Sequence, residues 1–213
     1  MKDAFLTLGR GVGQVMFQNN ALSGLLMLAG ILLNSWQMAL LAIAGNVVST
    51  LTACLSGYSR EDIRNGLYGF NGTLVGIAIG VFMPVSVASL SLLVAGACLS
   101  AWIARLFSLQ RRVPGFTAPF ILSVWILLAA CRGMMPSLLL PSGNAVTAQS
   151  LSFLQAFCLN IGQVMFQGNT VLAGVLSSCW VSWLIPVSMA FMLHWERGFP
   201  FRSLCCWEWM MLF

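Results

Sequence analysis

Gln14, Gln18, Gln163 and Gln167 are carboxamides set in runs that carry no charged residue. A carboxamide offers one acceptor oxygen and two N–H donors without a net charge. At membrane depth it replaces part of a polar solute's hydration while giving an ion little in return. Each pair of amides encloses an aromatic ring: Phe17 lies three residues after Gln14, and Phe166 three after Gln163. The whole segment Gly13-Gln14-Val15-Met16-Phe17-Gln18-Asn19-Asn20 recurs as Gly162-Gln163-Val164-Met165-Phe166-Gln167-Gly168-Asn169, seven of eight positions matching at an offset of 149. Chance likeness between apolar helices yields Leu and Val matches, not two Gln, a Phe and an Asn in register. An amide facing lipid would leave its polar groups unsatisfied, so these side chains face protein or a water-filled path. Interhelical hydrogen bonding is the plainer use of such residues. Their repetition favours a shared functional one.

Two further constellations stand between the copies. Gly66-Leu67-Tyr68-Gly69-Phe70-Asn71-Gly72-Thr73-Leu74-Val75-Gly76 is dense in glycine, which suits close helix approach and non-helical backbone at depth. Its Asn71-Gly72-Thr73 is formally a glycosylation sequon, but an apolar setting argues against that use. Gly115-Phe116-Thr117-Ala118-Pro119-Phe120 places a Thr just before a Pro at the head of an apolar run, where a helix start is the simple reading.

The elements that must hold these groups are dictated by composition. The chain has 213 residues, 59% of them hydrophobic, with 10 Lys/Arg and 5 Asp/Glu. No charge falls within 11–59, 65–104, 113–131 or 133–195. A soluble domain carries about 25% charge and could not cover its surface this way, which excludes a cytosolic enzyme, a disordered tail and a nucleic-acid binder. The net charge of +5 comes from short Arg clusters between apolar runs, the placement that sets membrane orientation. Seven Cys without metal-ligand spacing and a lone His194 give no metal or cofactor site, so Cys serves as a small packing residue. Neither a nucleophile–base pair nor a metal cluster is legible, and no enzyme is expected. Ala4–Arg10 lacks a sustained apolar region, so no cleaved leader is expected.

An all-α polytopic membrane protein follows. A bilayer crossing needs about 20 apolar residues; Ala4–Gln18 is too short and predicts a half-helix or an interfacial helix. Ser23–Leu33, Met38–Leu55, Gly66–Phe82, Val85–Ala104 and Ala118–Cys131 predict five crossings, the first two divided by Asn34-Ser35-Trp36. With the N-terminus inside, Arg60, Arg64, Arg105, Arg111 and Arg112 are inside and Arg132 alone is outside. An odd number of crossings brings the second Gln-containing copy in from the opposite face, an inverted-topology repeat with its site near midplane.

With these motifs in this order over about residues 4–176, joined by Gly30-Ile31-Leu32-Leu33-Asn34-Ser35, the chain resembles the urea transporter family. The resemblance implies the inverted-repeat urea-channel fold, with urea as the solute and a homotrimer in the cell membrane (the inner membrane if the source is bacterial). Each protomer would have its own pore, lined by half-membrane pore helices and by paired Phe rings that form flat slots around a constriction. By motif, Gln14, Val15 and Phe17 fall on the first pore helix, and Phe70 and Leu74 on the facing slot wall. Thr117 falls at the constriction, and Gln163, Val164 and Phe166 on the second pore helix. Urea's chemistry agrees: aromatic faces admit a flat neutral molecule, and carboxamide oxygens with free helix-end carbonyls accept its N–H donors.

The expected organisation is a first repeat over 1–148, with its pore helix at about 4–18. The start of a second repeat then covers 149–213, with a pore helix at about 150–167 and one span at about 171–193. A second copy of the Phe70 motif would fall past Phe213 at the same offset, and the text after Leu176 does not match the first copy. The second repeat is therefore expected to be incomplete, with a divergent tail over 177–213. A frameshift would account for it, since Ser177–Val187 back-translates in a shifted frame to a run resembling Met27–Ser35. The alternatives are a channel for a related small neutral amide or water, and a non-conducting remnant or subunit.

Overall fold

A computed structural model describes residues 2–16, 19–110 and 114–140. These form seven α-helices and two short 3-10 turns: α1 (Lys2–Gly13), α2 (Ala21–Asn34), α3 (Trp36–Leu55), α4 (Arg60–Arg64), α5 (Gly69–Phe82), α6 (Val87–Gln110) and α7 (Ala118–Met134), with 3-10 turns at Gln14–Met16 and Pro136–Leu138.

Short polar residues mark the boundaries. The Asn20 side chain accepts from the Leu22 N–H at 2.9 Å and starts α2. Ser35 both ends α2, donating its N–H to the Ile31 carbonyl at 2.8 Å, and starts α3, its Oγ accepting from the Met38 N–H at 3.3 Å. One residue thus separates two helices, which is why Asn34-Ser35-Trp36 reads as a break. Ser59 caps α4, with Glu61 and Asp62 in its first turn as the helix dipole favours. Gly66 turns the chain into α5 at φ 76°, and a side chain there would collide with the Gly11 backbone of α1.

α5 is the axis of the described fold: every residue from Gly69 to Ile79 is buried. It packs on α3 backbone to backbone, because Gly45 and Gly72 lie against each other's carbonyl oxygens and Gly76 against that of Leu41. Two apolar clusters flank this contact. One joins Val12, Val15, Met27, Ile31, Ala39, Ala42, Phe70, Leu74 and Ile77. The other joins Leu41, Val75, Ile79, Met83, Leu93, Val124 and Leu127. The outer surface is equally apolar: Leu40, Ile43 and Leu51 on α3, Leu90, Val94 and Trp102 on α6, and Ile121, Leu122 and Trp125 on α7 are exposed. Such a surface belongs in a medium as apolar as itself, and Trp36, 62% exposed at the head of α3, fits an interfacial anchor.

The five predicted crossings all coincide with helices, but not all are full spans. Among the described residues only α3 and α6 have the length and composition to cross a membrane alone; a third crossing there arises if Asp3–Met16 and Ala21–Asn34, which meet at 73°, count as one bent span. α5 and α7 have 14 and 17 residues, about 21 and 26 Å at 1.5 Å per residue against a hydrocarbon layer of about 30 Å. α5 stops where Met83 turns extended ahead of Pro84, and α7 begins only at Ala118. The half-helix predicted at Ala4–Gln18 is α1, tightened into a 3-10 turn from Gln14. The second repeat and tail, 149–213, lie outside the described residues.

Candidate functional site around the central helix

Gln14 opens the 3-10 turn at the end of α1, where a tighter winding brings backbone carbonyls out of the α-helical pattern. Its Nε2 donates to the Asn65 carbonyl at 3.1 Å. That leaves the amide oxygen as the group without a hydrogen bond among the described residues. Asn65 is held in turn by the Asn19 amide, whose Nδ2 donates to the Asn65 Oδ1 at 3.2 Å. Beside them Arg10, Arg60, Glu61, Arg64 and Asn65 line an open cavity of about 340 Å³, with Arg10 Nη1 donating to the Arg64 carbonyl at 3.2 Å. The surface next to Gln14 is therefore basic and polar.

Behind Gln14 the environment turns apolar within one residue. Val15, Phe70 and Leu74 are 4%, 6% and 3% exposed and belong to one cluster, with Met16 and Phe120 packed at its margin. Residues 55 positions apart in the chain, Val15 and Phe70, thus share one cluster because the 3-10 turn after α1 packs against α5. Phe70 is a packed wall here, not the lining of an open cavity.

Thr117 is half-buried at the N-terminus of α7. It is tied to the same centre by Asn71, one residue beyond Phe70. Asn71 Oδ1 accepts from the Phe120 N–H at 3.1 Å, and its Nδ2 donates to the Phe116 carbonyl at 3.5 Å. Further anchoring comes from α3. Asn46, 2% exposed, donates through Nδ2 to the Leu8 carbonyl of α1 at 3.0 Å, and Ser49 Oγ donates to the Tyr68 carbonyl ahead of α5 at 2.8 Å. Tyr68 lies against Tyr58 (centroids 5.2 Å apart), and the Arg105 guanidinium sits 5.1 Å over the Tyr58 ring. Burial, and secondarily the Asp62 carboxylate, hold the Tyr68 phenol above its usual pKa, with Arg105 and Ser108 partly opposing.

Gln14, Val15, Phe70, Leu74 and Thr117 are thus gathered around α5, whereas Phe17, Gln163, Val164 and Phe166 lie outside the described residues. Asn65 and Asn71 are the positions that sequence reasoning did not assign to the site. Asn71 carried a usable signal: it is a carboxamide in an apolar run, the same feature that singled out Gln14. Asn65, in a polar loop, carried none.

Apolar helices of which two or three are candidate membrane spans, carboxamides at their ends and an apolar exterior mark an all-helical membrane protein. The profile of one such family, described as Urea transporter, matches residues 5–193. The chain belongs to the urea transporter family, a family of channels and not of enzymes. It is 35% identical over 175 residues to Urea transporter 1 of Rattus norvegicus, covering 73% of this chain and 44% of the relative. It is 32% identical over 186 residues to Urea transporter 1 of Mus musculus, covering 78% and 47%. Urea transporter 1 of Ovis aries is 30% identical over the same length and shares. The chain spans less than half the length of these curated relatives.

Proposed function

We propose that this protein provides a passive path for urea across the cell membrane, built as an inverted repeat around the two Gly-Gln-Val-Met-Phe-Gln segments. The observation that carries the reading is the packing of Val15, Phe70 and Leu74 in one cluster at the buried helix α5, with Gln14 next to Val15 in the 3-10 turn and Thr117 lying between the Phe116 carbonyl and Phe120 N–H that Asn71 binds. In such a path the Gln14 carboxamide and the Thr117 hydroxyl would stand on either side of an apolar segment, so a flat neutral solute would exchange water contacts for these groups while an ion would gain too little to lose its hydration. The basic mouth at Arg10, Arg60 and Arg64 adds repulsion of cations. Phe70 would serve as a slot wall facing its counterpart Phe17. Gln163, Val164 and Phe166 would repeat the Gln14, Val15 and Phe17 roles from the opposite face.

Family resemblance supports a homotrimer with one path per protomer, embedded in membrane lipid through the exposed faces of α3, α6 and α7. The N-terminus is assigned to the inside by the clustering of Arg60, Arg64, Arg105, Arg111 and Arg112.

Competition against labelled urea in protein-containing vesicles tests the reading. Formamide and acetamide, neutral and flat, are expected to slow urea uptake, and guanidinium, flat but charged, to leave it unchanged. Equal competition by guanidinium would contradict a path selective for neutral amides.

A further inference from the structure

The start of α7 raises a question of accounting. Thr117 occupies the N-cap position, where a Thr hydroxyl ordinarily accepts from the N–H of the second or third helical residue. Here Thr117 makes no such bond. The orphan donors of the first turn are satisfied by other groups. Ala118 N–H donates to the Gly115 carbonyl at 2.8 Å, and Ile121 N–H to the Thr117 carbonyl at 3.1 Å. Pro119 has no N–H to satisfy. The Phe120 N–H donates to Asn71 Oδ1 of α5 at 3.1 Å. The preceding turn is unusual as well: Phe116 sits at φ 38°, in the left-handed region that bulky side chains rarely adopt. The other end of the Asn71 amide donates to the carbonyl of that same residue. Asn71 is 1% exposed, so it has no water to exchange for these partners.

We propose that Asn71 is the positioning residue of the Thr117 turn: it caps α7 from the neighbouring helix and pins Phe116, so that the Thr117 hydroxyl is not consumed in capping and is left for solute. This rests on the urea-path reading given above, in which Thr117 stands at the constriction. A helix that caps itself would fold its own hydroxyl back onto its backbone. A cap supplied in trans fixes the same turn and keeps the hydroxyl as a donor and acceptor. It also links the slot wall at Phe70 to the constriction at Thr117 through adjacent residues of α5, so the two cannot shift independently.

Amide hydrogen exchange at Phe120, measured on the full chain in lipid nanodiscs, tests the cap without reference to transport. Thr117→Val is expected to leave the Phe120 amide as protected as in the natural protein. Asn71→Leu is expected to speed its exchange about tenfold or more, the scale of one lost hydrogen bond. Asn71→Asp, which keeps the acceptor oxygen, is expected to retain protection. Loss of protection in Thr117→Val would mean that the hydroxyl caps α7, and would overturn the proposal; so would unchanged protection in Asn71→Leu. Should Asn71→Leu fail to fold, the Thr117→Val and Asn71→Asp results decide alone. Urea uptake by the same proteins adds the functional readout: Asn71→Leu and Thr117→Val each lower it, Asn71→Asp restores it towards the natural rate, and Asn71→Leu with Thr117→Val together is no worse than the more impaired single variant. Fully additive losses would overturn the link between the two residues. Absence of urea uptake in the unsubstituted protein would contradict the transport reading, while the exchange results would still judge the cap.

Discussion

Gln14 and Phe70 show how differently two residues of one site depend on their surroundings. Gln14 has its nitrogen engaged with Asn65, so Gln14→Leu orphans a carbonyl acceptor as well as removing an amide from the mouth. Its expected cost is about 1–3 kcal/mol, read as a lower melting temperature in detergent, together with reduced urea uptake. Phe70 is almost fully packed, and Phe70→Ala is expected to cost about 3–5 kcal/mol by opening a cavity between α1 and α5. Loss of folded protein would therefore obscure any transport effect of Phe70→Ala. Phe70→Leu keeps most of the volume and is expected to fold while reducing uptake; full uptake with Leu at this position would remove the ring from the mechanism. Gln14 stood out in the sequence because amides in a charge-free run have few uses and its motif occurs twice, whereas Phe70 was singled out by the family resemblance alone. The partners were not legible: Asn65 follows Gln14 by 51 residues, and nothing in spacing links a loop Asn to a helix-end Gln.

Among the elements, α5 carries the arrangement through its contact with α3. Gly45 and Gly72 leave no room for a methyl group on either backbone. Gly72→Ala must push the helices apart, at a cost of about 1–3 kcal/mol or more, and a larger loss of melting temperature is expected than for Gly133→Ala, where nothing lies within 4 Å. Equal effects at the two positions would contradict the close approach. The turn ahead of α5 gives a pH dependence. The Tyr68 phenol is held above its usual value of about 10, so above that pH the unfolded chain loses its proton while the folded chain keeps it. Stability then falls as pH rises from about 10 towards the raised folded value, and Tyr68→Phe should flatten that fall in a thermal-melt series. Helix existence was readable from apolar runs and from the breaks at Ser35 and Pro84. Helix length was not. Gly66, Leu67 and Tyr68 are as apolar as the run they precede, and only the turn at Gly66 shows that α5 starts at Gly69 and falls short of a full crossing.

For the whole molecule, the four charge-free stretches identified a membrane protein before any motif was considered, and the apolar exterior of α3, α6 and α7 agrees with them. The basic cavity beside Gln14 was foreshadowed by the Arg residues around 60–64, though not their convergence with Arg10. The inverted pairing of the two Gln-containing segments remains a reading of the repeat in the sequence, since the second copy lies outside the described residues. Whether the molecule conducts urea is read from the initial rate of labelled urea entry into liposomes holding the purified full chain. Protein-free liposomes of the same lipid and size provide the reference. A urea path through this protein gives uptake about tenfold or more above that reference, dropping on Gln14→Leu as the loss of a hydrogen-bonding group implies. Uptake equal to that of protein-free liposomes, from protein shown to be folded and inserted, would contradict it.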